Sequence, residues 1–131
     1  PKVLKAKSEE SWRAAVLCSE KKMHGSSINR YYYSIFQFIL HILDINDRTV
    51  KQDEKDKGLF SHDNTCIEMG KLIESKKIGV NAFQFKSHFT MVKRLRTMAD
   101  YHKESVGEAD LKIMEDSATK MKEYLLKVEN S

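Results

Sequence analysis

The sequence has almost none of the residues that break helices or cross-link chains. Its only proline is the first of its 131 residues, and no stretch alternates apolar and polar residues as a half-buried strand does. Because proline breaks the interior of a helix, its absence from the rest of the chain permits long helices. The two cysteines, Cys18 and Cys66, stand alone and outside any CxxC pair. We therefore expect reduced, partly buried thiols rather than a disulfide or a thiolate metal site.

A long apolar run is missing too. The most apolar stretch, residues 31–45, is interrupted by several polar residues, whereas a membrane-spanning helix needs about 20 mostly apolar residues. The first ten residues contain no apolar segment of the kind that a secretion signal needs. From these absences we predict one cytoplasmic domain over residues 1–131 without membrane contact, since a chain of this length can bury a core of its own.

Several motifs of common enzymes are absent as well. There is no glycine-rich phosphate loop, no HExxH, no GxSxG and no pair of CxxC units. No two of the five histidines have i,i+4 spacing with an acidic partner, so we predict that the protein uses no metal and no cofactor. The formal net charge of +4 permits an anionic partner but does not require one.

Apolar residues recur at helical spacing through most of the chain, which predicts an all-α, up-and-down bundle of four to five helices. The predicted helices cover residues 8–23, 28–46, 65–76, 81–106 and 108–128. Ser8 and Asn81 are the expected N-caps of the first and fourth helices, and Gly25 is the expected left-handed residue after the first. Residues 47–64 are highly charged and lack an apolar period, so we expect a flexible connection there.

The second predicted helix is the most apolar one and should run through the middle of the bundle. Its polar strip consists of Arg30, Ser34, Gln37 and His41, and on a central helix that strip should face solvent or a cleft. Two interpretations of the tyrosine triplet at residues 31–33 stay open. The rings of Tyr31 and Tyr32 could belong to the core with their hydroxyls at the surface, or the triplet and Arg30 could stack on and hydrogen-bond a nucleotide.

The fourth predicted helix carries an arginine and a histidine six residues apart, Arg96 and His102. They fall on opposite edges of an apolar stripe that begins at Phe85 and ends at Ala99, about 120° apart around the axis and about 9 Å apart along it. The two side chains could meet if the helix is distorted, or if a second copy packs on this stripe. Because an arginine can hold a phosphate and a histidine can move a proton, such a surface would make a composite site.

Two stretches of the sequence resemble the HEPN domains, small all-α proteins of prokaryotic defence and toxin systems that also occur in some eukaryotes. Residues 27–36 read SINRYYYSIF, which is similar to the N-R-x-Y-Y-x-x-F pattern of the HEPN second helix. Residues 96–102 read RTMADYH, which fits both the R-x4-6-H signature and the R-x-x-A-D-Y form of that region. The two stretches occur in the family's order, and the resemblance covers residues 8–128.

The resemblance implies a homodimer in which the motif-bearing helices of both copies face a shared cleft. Active HEPN proteins are metal-independent endoribonucleases, so it implies an RNase of a toxin–antitoxin or defence system, with RNA as substrate and an antitoxin as partner. Arg96 would bind the scissile phosphate and His102 would transfer protons. The supporting or nucleotide-binding residues would be Asn29, Arg30, Tyr31 and Asp100.

The motif also departs from that of many active HEPN proteins, which carry Asn, Asp or His directly after the arginine, where this chain has Thr97. The R-x-x-A-D-Y subgroup often lacks the histidine and includes partners of minimal nucleotidyltransferases. An alternative function is therefore that of a non-catalytic nucleotide-binding protein, acting as partner or substrate of a nucleotidyltransferase. A structural adaptor, the third interpretation, would bury Arg96 in an ion pair with Asp100.

Overall fold

The structure is a computed structural model that describes residues 2–48, 50, 61–101 and 106–131. Within these residues the chain forms five α-helices and no strand, which confirms the predicted all-α bundle. The helices are α1 (Lys2–Glu20), α2 (His24–Ile45), α3 (His62–Lys76), α4 (Ala82–Tyr101) and α5 (Glu108–Glu129). No helix in this part of the chain is both long and apolar enough to cross a membrane.

α1 and α2 form an antiparallel pair joined by a short turn. The hydroxyl of Ser8 donates to the carbonyl of Ser34 (2.7 Å), and the hydroxyl of Ser34 donates to the carbonyl of Ser8 (2.8 Å). Nearer the turn, the hydroxyl of Ser27 donates to the carbonyl of Ala15 (2.8 Å). Because these buried hydroxyls are all hydrogen-bonded, small polar side chains can lie between the two helices without a desolvation penalty.

Two predicted helix ends are wrong. α1 begins at Lys2, so Ser8 is an interior residue buried against α2 and not an N-cap. Gly25 lies in the first turn of α2, and the left-handed residue that follows α1 is Lys22, with φ 58°. The amides of Lys22 and Met23 donate to carbonyls near the end of α1 (3.0 and 2.8 Å). This is the Schellman hydrogen-bond pattern, which ends the helix before Gly25 is reached.

α2 is the central helix, as predicted, and contacts all four of the others. Ile28, Ile35, Ile39 and Ile42 are each no more than 1% exposed. A side chain of this size stabilises the fold by about 1.5–3 kcal/mol when it is fully buried. The position of α2 therefore follows from the apolar residues that cover most of its circumference.

The polar strip of α2 does not face solvent or a cleft along its whole length, so that expectation is wrong for Ser34 and His41, which are both buried. Ser34 lies in the serine contact with α1. Nε2 of His41 lies 3.2 Å from Oε2 of Glu129 on α5, and Nζ of Lys5 on α1 lies 2.8 Å from Oε1 of the same carboxylate. Because α1 and α5 supply polar partners for Ser34 and His41, this part of the polar strip can be buried.

α3 and α4 both begin at side-chain caps. The hydroxyl of Ser61 accepts a hydrogen bond from the amide of Asn64 (3.2 Å). Oδ1 of Asn81 accepts from the amides of Phe83 (2.8 Å) and Gln84 (3.2 Å), which confirms the predicted cap. The predicted connection over residues 47–64 lies mainly outside the described residues, although its last three residues form the start of α3.

The apolar stripe of α4 packs into the core of the single chain. Phe85, Phe89, Val92 and Leu95 are each 3% exposed or less, because α4 lies against α2, α3 and α5. A second copy therefore cannot pack on this stripe, and the expectation that it could is wrong. Any contact between copies has to use other surfaces of α4.

Two adjacent leucines of α5 test the described core. Leu125 is 0% exposed and Leu126 is 38% exposed. Leu125→Ala should lower the free energy of unfolding by about 2–5 kcal/mol because it leaves a cavity, and Leu126→Ala should lower it by less than about 1 kcal/mol. Urea denaturation followed by far-UV circular dichroism measures both. Equal losses would contradict the described orientation of α5.

Candidate functional site

Arg96 projects from α4 toward α2, and three tyrosine rings surround its guanidinium group. The guanidinium carbon lies 5.5 Å from the ring centroid of Tyr32, 5.6 Å from that of Tyr33 and 5.5 Å from that of Tyr101. A cation this close to an aromatic face is stabilised by about 0.5–1 kcal/mol at the surface and by about 2 kcal/mol when shielded from water. The side chain of Arg96 is 16% exposed, so the rings shield most of it and leave part of it accessible.

The polar contacts of Arg96 link α4 to α2. Its Nη2 donates a hydrogen bond to Oη of Tyr33 at 3.0 Å. Its Nε lies 3.0 Å from Oδ2 of Asp100, but the N–H does not point at that oxygen, so this contact is an ion pair without a hydrogen bond. Nε is buried and donates no hydrogen bond among the described residues. Because a buried donor that makes no hydrogen bond is unfavourable, a ligand that accepted one from Nε would be favoured.

A second arginine, Arg30, lies over the ring of Tyr33, with 5.4 Å between the guanidinium carbon and the ring centroid. Its Nε and Nη2 donate to Oδ1 of Asn29 (2.9 and 2.5 Å). Nδ2 of Asn29 donates in turn to both carboxylate oxygens of Asp100 (3.2 and 3.0 Å). Asn29, Arg30, Tyr33, Arg96 and Asp100 therefore form a closed ring of contacts, which we call the two-arginine cluster.

Helical spacing explains why these side chains meet. Asn29 and Tyr33 are four residues apart on α2, and Arg96 and Asp100 are four residues apart on α4, so each pair lies on one face of its helix. Leu95, directly before Arg96, is 3% exposed. The burial of such neighbours sets the rotation of both helices and turns the two polar faces toward each other.

The cluster carries a net positive charge. Burial alone would lower the pKa of Arg96, but interactions with Tyr33, Tyr101 and Asp100 outweigh this effect and raise the pKa above its ordinary value. An arginine is in any case protonated at physiological pH. With Arg30, the cluster holds two guanidinium groups and one carboxylate, so it can accept an anion.

An open cleft of about 610 Å³ borders the cluster. Asn29, Arg30 and Asp100 form its polar wall, and small or apolar residues of α1 and of the start of α2 form much of the remainder. The volume lies within the range of about 300–1,000 Å³ that is usual for small-molecule sites. A ligand in this cleft would meet Arg30 and Asp100 directly and would reach Arg96 through the position that Asp100 occupies.

No relative of this chain is found. Comparisons with protein-family models, with curated proteins and with solved structures give no match. The function therefore has to be inferred from the chemistry of the cluster.

The structure brings three of the predicted supporting residues, Asn29, Arg30 and Asp100, together with Arg96. That these residues serve one functional site, as the resemblance implies, stays a prediction. His102 and the three residues after it lie outside the described residues. The prediction that His102 acts with Arg96 therefore stays a prediction.

Tyr31 is placed away from the cluster. Its side chain is buried, and its ring meets that of Trp12 edge to face, with 4.9 Å between the centroids. Burial, followed by the charge of Glu115, raises the pKa of Tyr31 to about 12. Tyr31 thus belongs to the contact between α1 and α2, which corresponds to the core interpretation of this residue.

Two residues with notable contacts, Tyr33 and His62, are not among the predicted site residues. Tyr33, and not Tyr31, contacts both arginines, and its i,i+4 spacing from Asn29 is the signal that could have revealed it. His62, at the start of α3, forms a short hydrogen bond through Nδ1 with Oη of Tyr32 and stacks on Phe36.

In the described part of the chain, no three His, Cys, Asp or Glu side chains form a group that could hold a metal ion.

Arg96 should stabilise the contact between α2 and α4. Arg96→Lys should lower the free energy of unfolding by about 1–2 kcal/mol, because an ammonium group cannot stack on three rings while it also reaches Tyr33 and Asp100. Arg94→Lys, at an exposed position of the same helix, is the matched control and should change the free energy by less than about 0.5 kcal/mol. Urea denaturation compares the two variants. Indistinguishable unfolding curves would show that the cluster does not hold the helices together.

Proposed function

We propose that the two-arginine cluster binds the phosphate of a nucleotide or of RNA, without catalysis by this chain. The observation that carries the proposal is the buried Nε–H of Arg96, which donates no hydrogen bond among the described residues although Oδ2 of Asp100 lies 3.0 Å from Nε. Phosphate oxygens are strong acceptors and match the planar fork of a guanidinium group. A nucleotidyltransferase that uses this chain as partner or substrate fits such a role.

Asp100 has a specific part in this proposal. Its carboxylate lies against Arg96 and accepts hydrogen bonds from Asn29, so it occupies the place where a phosphate would bind. An incoming phosphate has to displace this carboxylate and is repelled by it until it does. The carboxylate of Asp100 should therefore lower the affinity for phosphate. If Asp100 served only as a structural ion-pair partner of Arg96, removing its charge would leave that affinity unchanged.

The opposite effects expected at Asp100 and at the arginines test the proposal. Arg30→Ala and Arg96→Ala should each weaken the binding of adenosine monophosphate about tenfold or more, since each removes a charge-assisted contact. Asp100→Asn should strengthen it about three- to tenfold, because it removes the competing charge and keeps the shape. Isothermal titration calorimetry measures the affinities, and Arg13→Ala, an exposed position on α1, serves as the control.

Two results would contradict the proposal. If Asp100→Asn weakens binding as much as Arg96→Ala does, the carboxylate is part of the site and not a competitor. If adenosine monophosphate and a short single-stranded RNA both fail to bind the parent protein and Asp100→Asn, the cluster is structural only.

A metal-independent endoribonuclease is the second candidate function. The observation that favours it is the ring of Tyr101 over Arg96, because Tyr101 directly precedes His102 in the sequence. In this function a homodimer would form the composite site, with Arg96 stabilising charge on the scissile phosphate and His102 transferring protons. Proton transfer of this kind contributes about 10²- to 10⁴-fold in rate.

Cleavage of labelled RNA in the presence of EDTA tests this candidate. The parent protein should cut total RNA or tRNA, and His102→Ala should lower the rate by about 10²-fold or more while it keeps its helicity and its affinity for RNA. Analytical ultracentrifugation of the same samples checks for the dimer. Equal cleavage by the parent and His102→Ala would point to a contaminating nuclease, and no cleavage by the parent would leave binding as the function.

A further inference from the structure

A second cleft, of about 810 Å³, lies between the first turns of α3 and residues 86–98 of α4, and we call it the α3–α4 groove. Cys66 and Phe89 are 6% and 3% exposed and form its base. Ile67, which is 45% exposed, and Met98 add further apolar surface. None of these residues belongs to the two-arginine cluster.

The groove follows one face of α4. Lys86, Phe89, Lys93 and Thr97 all line it, and their spacing of three to four residues places them on one side of the helix. From Lys86 to Thr97 this face is about 16 Å long at 1.5 Å per residue. The shape therefore suits an extended apolar chain better than a compact ring.

The groove combines its apolar base with positive charge. Lys86, Lys93 and Arg94 line it, against one acidic residue, Asp63, which pairs with Lys93 at 2.7 Å. Burial raises the pKa of the Cys66 thiol to about 11, while Lys86 and Lys93 act to lower it and Asp63 acts to raise it. Lys86, Lys93 and Cys66 line the same groove, so an apolar ligand there would be close to two cations.

Two other kinds of occupant fit these residues less well. A nucleobase needs an accessible aromatic face for stacking, but the aromatic residue among the described residues of the groove is Phe89, which is 3% exposed. A protein partner typically buries about 800 Å² on each side. Because Cys66 and Phe89 are almost fully buried, the accessible apolar surface of the groove comes mainly from Ile67 and Met98, which is far less than a stable protein interface requires.

We propose that the α3–α4 groove binds a medium-chain alkyl carboxylate, with its alkyl chain along the face of α4 and its carboxylate between Lys86 and Lys93. Contact with the accessible apolar side chains of the groove, Ile67 and Met98, removes the alkyl chain from water, which is favourable in proportion to the area buried. The two ammonium groups supply the charge that a carboxylate needs. This site is separate from the two-arginine cluster and does not depend on the nucleotide-binding proposal.

Three ligands that share a ten-carbon chain and differ in the head group test the proposal. Isothermal titration calorimetry of the full chain should show saturable binding of decanoate at one site, with decanol and decyltrimethylammonium about tenfold weaker or more. The methyl resonances of Ile67 and Met98 should shift when decanoate is added. These two observations together locate the ligand and identify its charge.

Substitutions separate the contribution of charge from that of the apolar base. Lys86→Met and Lys93→Met should each weaken decanoate binding about three- to fivefold, because each removes a partly exposed ion pair and keeps the length of the side chain. Ile67→Glu should weaken it about tenfold, since it places a like charge beside the ligand. Lys120→Met on α5, outside the groove, should leave the affinity unchanged.

Several results would overturn the proposal. Decanoate, decanol and decyltrimethylammonium could bind equally, decanoate could fail to saturate, or Lys86→Met and Lys93→Met could bind as the parent does. The double variant Leu59→Ser/Phe60→Ser, which changes the two apolar residues shortly before α3 in the sequence, provides a further test. If this double variant bound decanoate about tenfold more tightly than the parent, the chain itself would be the natural occupant of the groove.

Discussion

The ring of Tyr32 joins the hydrophobic core to the candidate site. It is 1% exposed, packs beside Phe89 of α4, and lies next to the guanidinium group of Arg96. A charged group can remain so close to the core because the ring faces are electron-rich and Asp100 balances part of the charge. The position of the cation therefore depends on the same packing that stabilises the bundle, and a change to that packing would move the site.

α4 serves two chemically different surfaces. Toward α2 it presents Arg96 and Asp100, which belong to a polar cluster with directed hydrogen bonds and a net positive charge. Toward α3 it presents Phe89 and Lys93, which line an apolar groove with positive charge. Side chains one residue apart on a helix are separated by about 100°, so a single helix can supply both surfaces without sharing a residue.

Features of the fold that depend on local pattern could be predicted from the sequence. The all-α class, the central position of α2 and the Asn81 cap follow from apolar periodicity and from one side-chain cap. The burial of Ser8, Ser34 and His41 could not be predicted, because it depends on carbonyl and carboxylate partners that other helices supply. Periodicity shows that a face is apolar or polar, but it does not show which helix will cover that face.

The contacts of the candidate site could also be predicted from the sequence only in part. The meeting of Asn29 and Arg30 with Arg96 and Asp100 was expected from the motif resemblance, whereas the role of Tyr33 required the rotation of α2 to be known. The ¹⁵Nε–¹Hε NMR resonance of Arg96, followed during titration with adenosine monophosphate, shows whether the phosphate binds at this nitrogen. We expect a large shift as Nε–H gains a phosphate acceptor. An Arg96 resonance that stays in place while adenosine monophosphate binds would contradict this expectation.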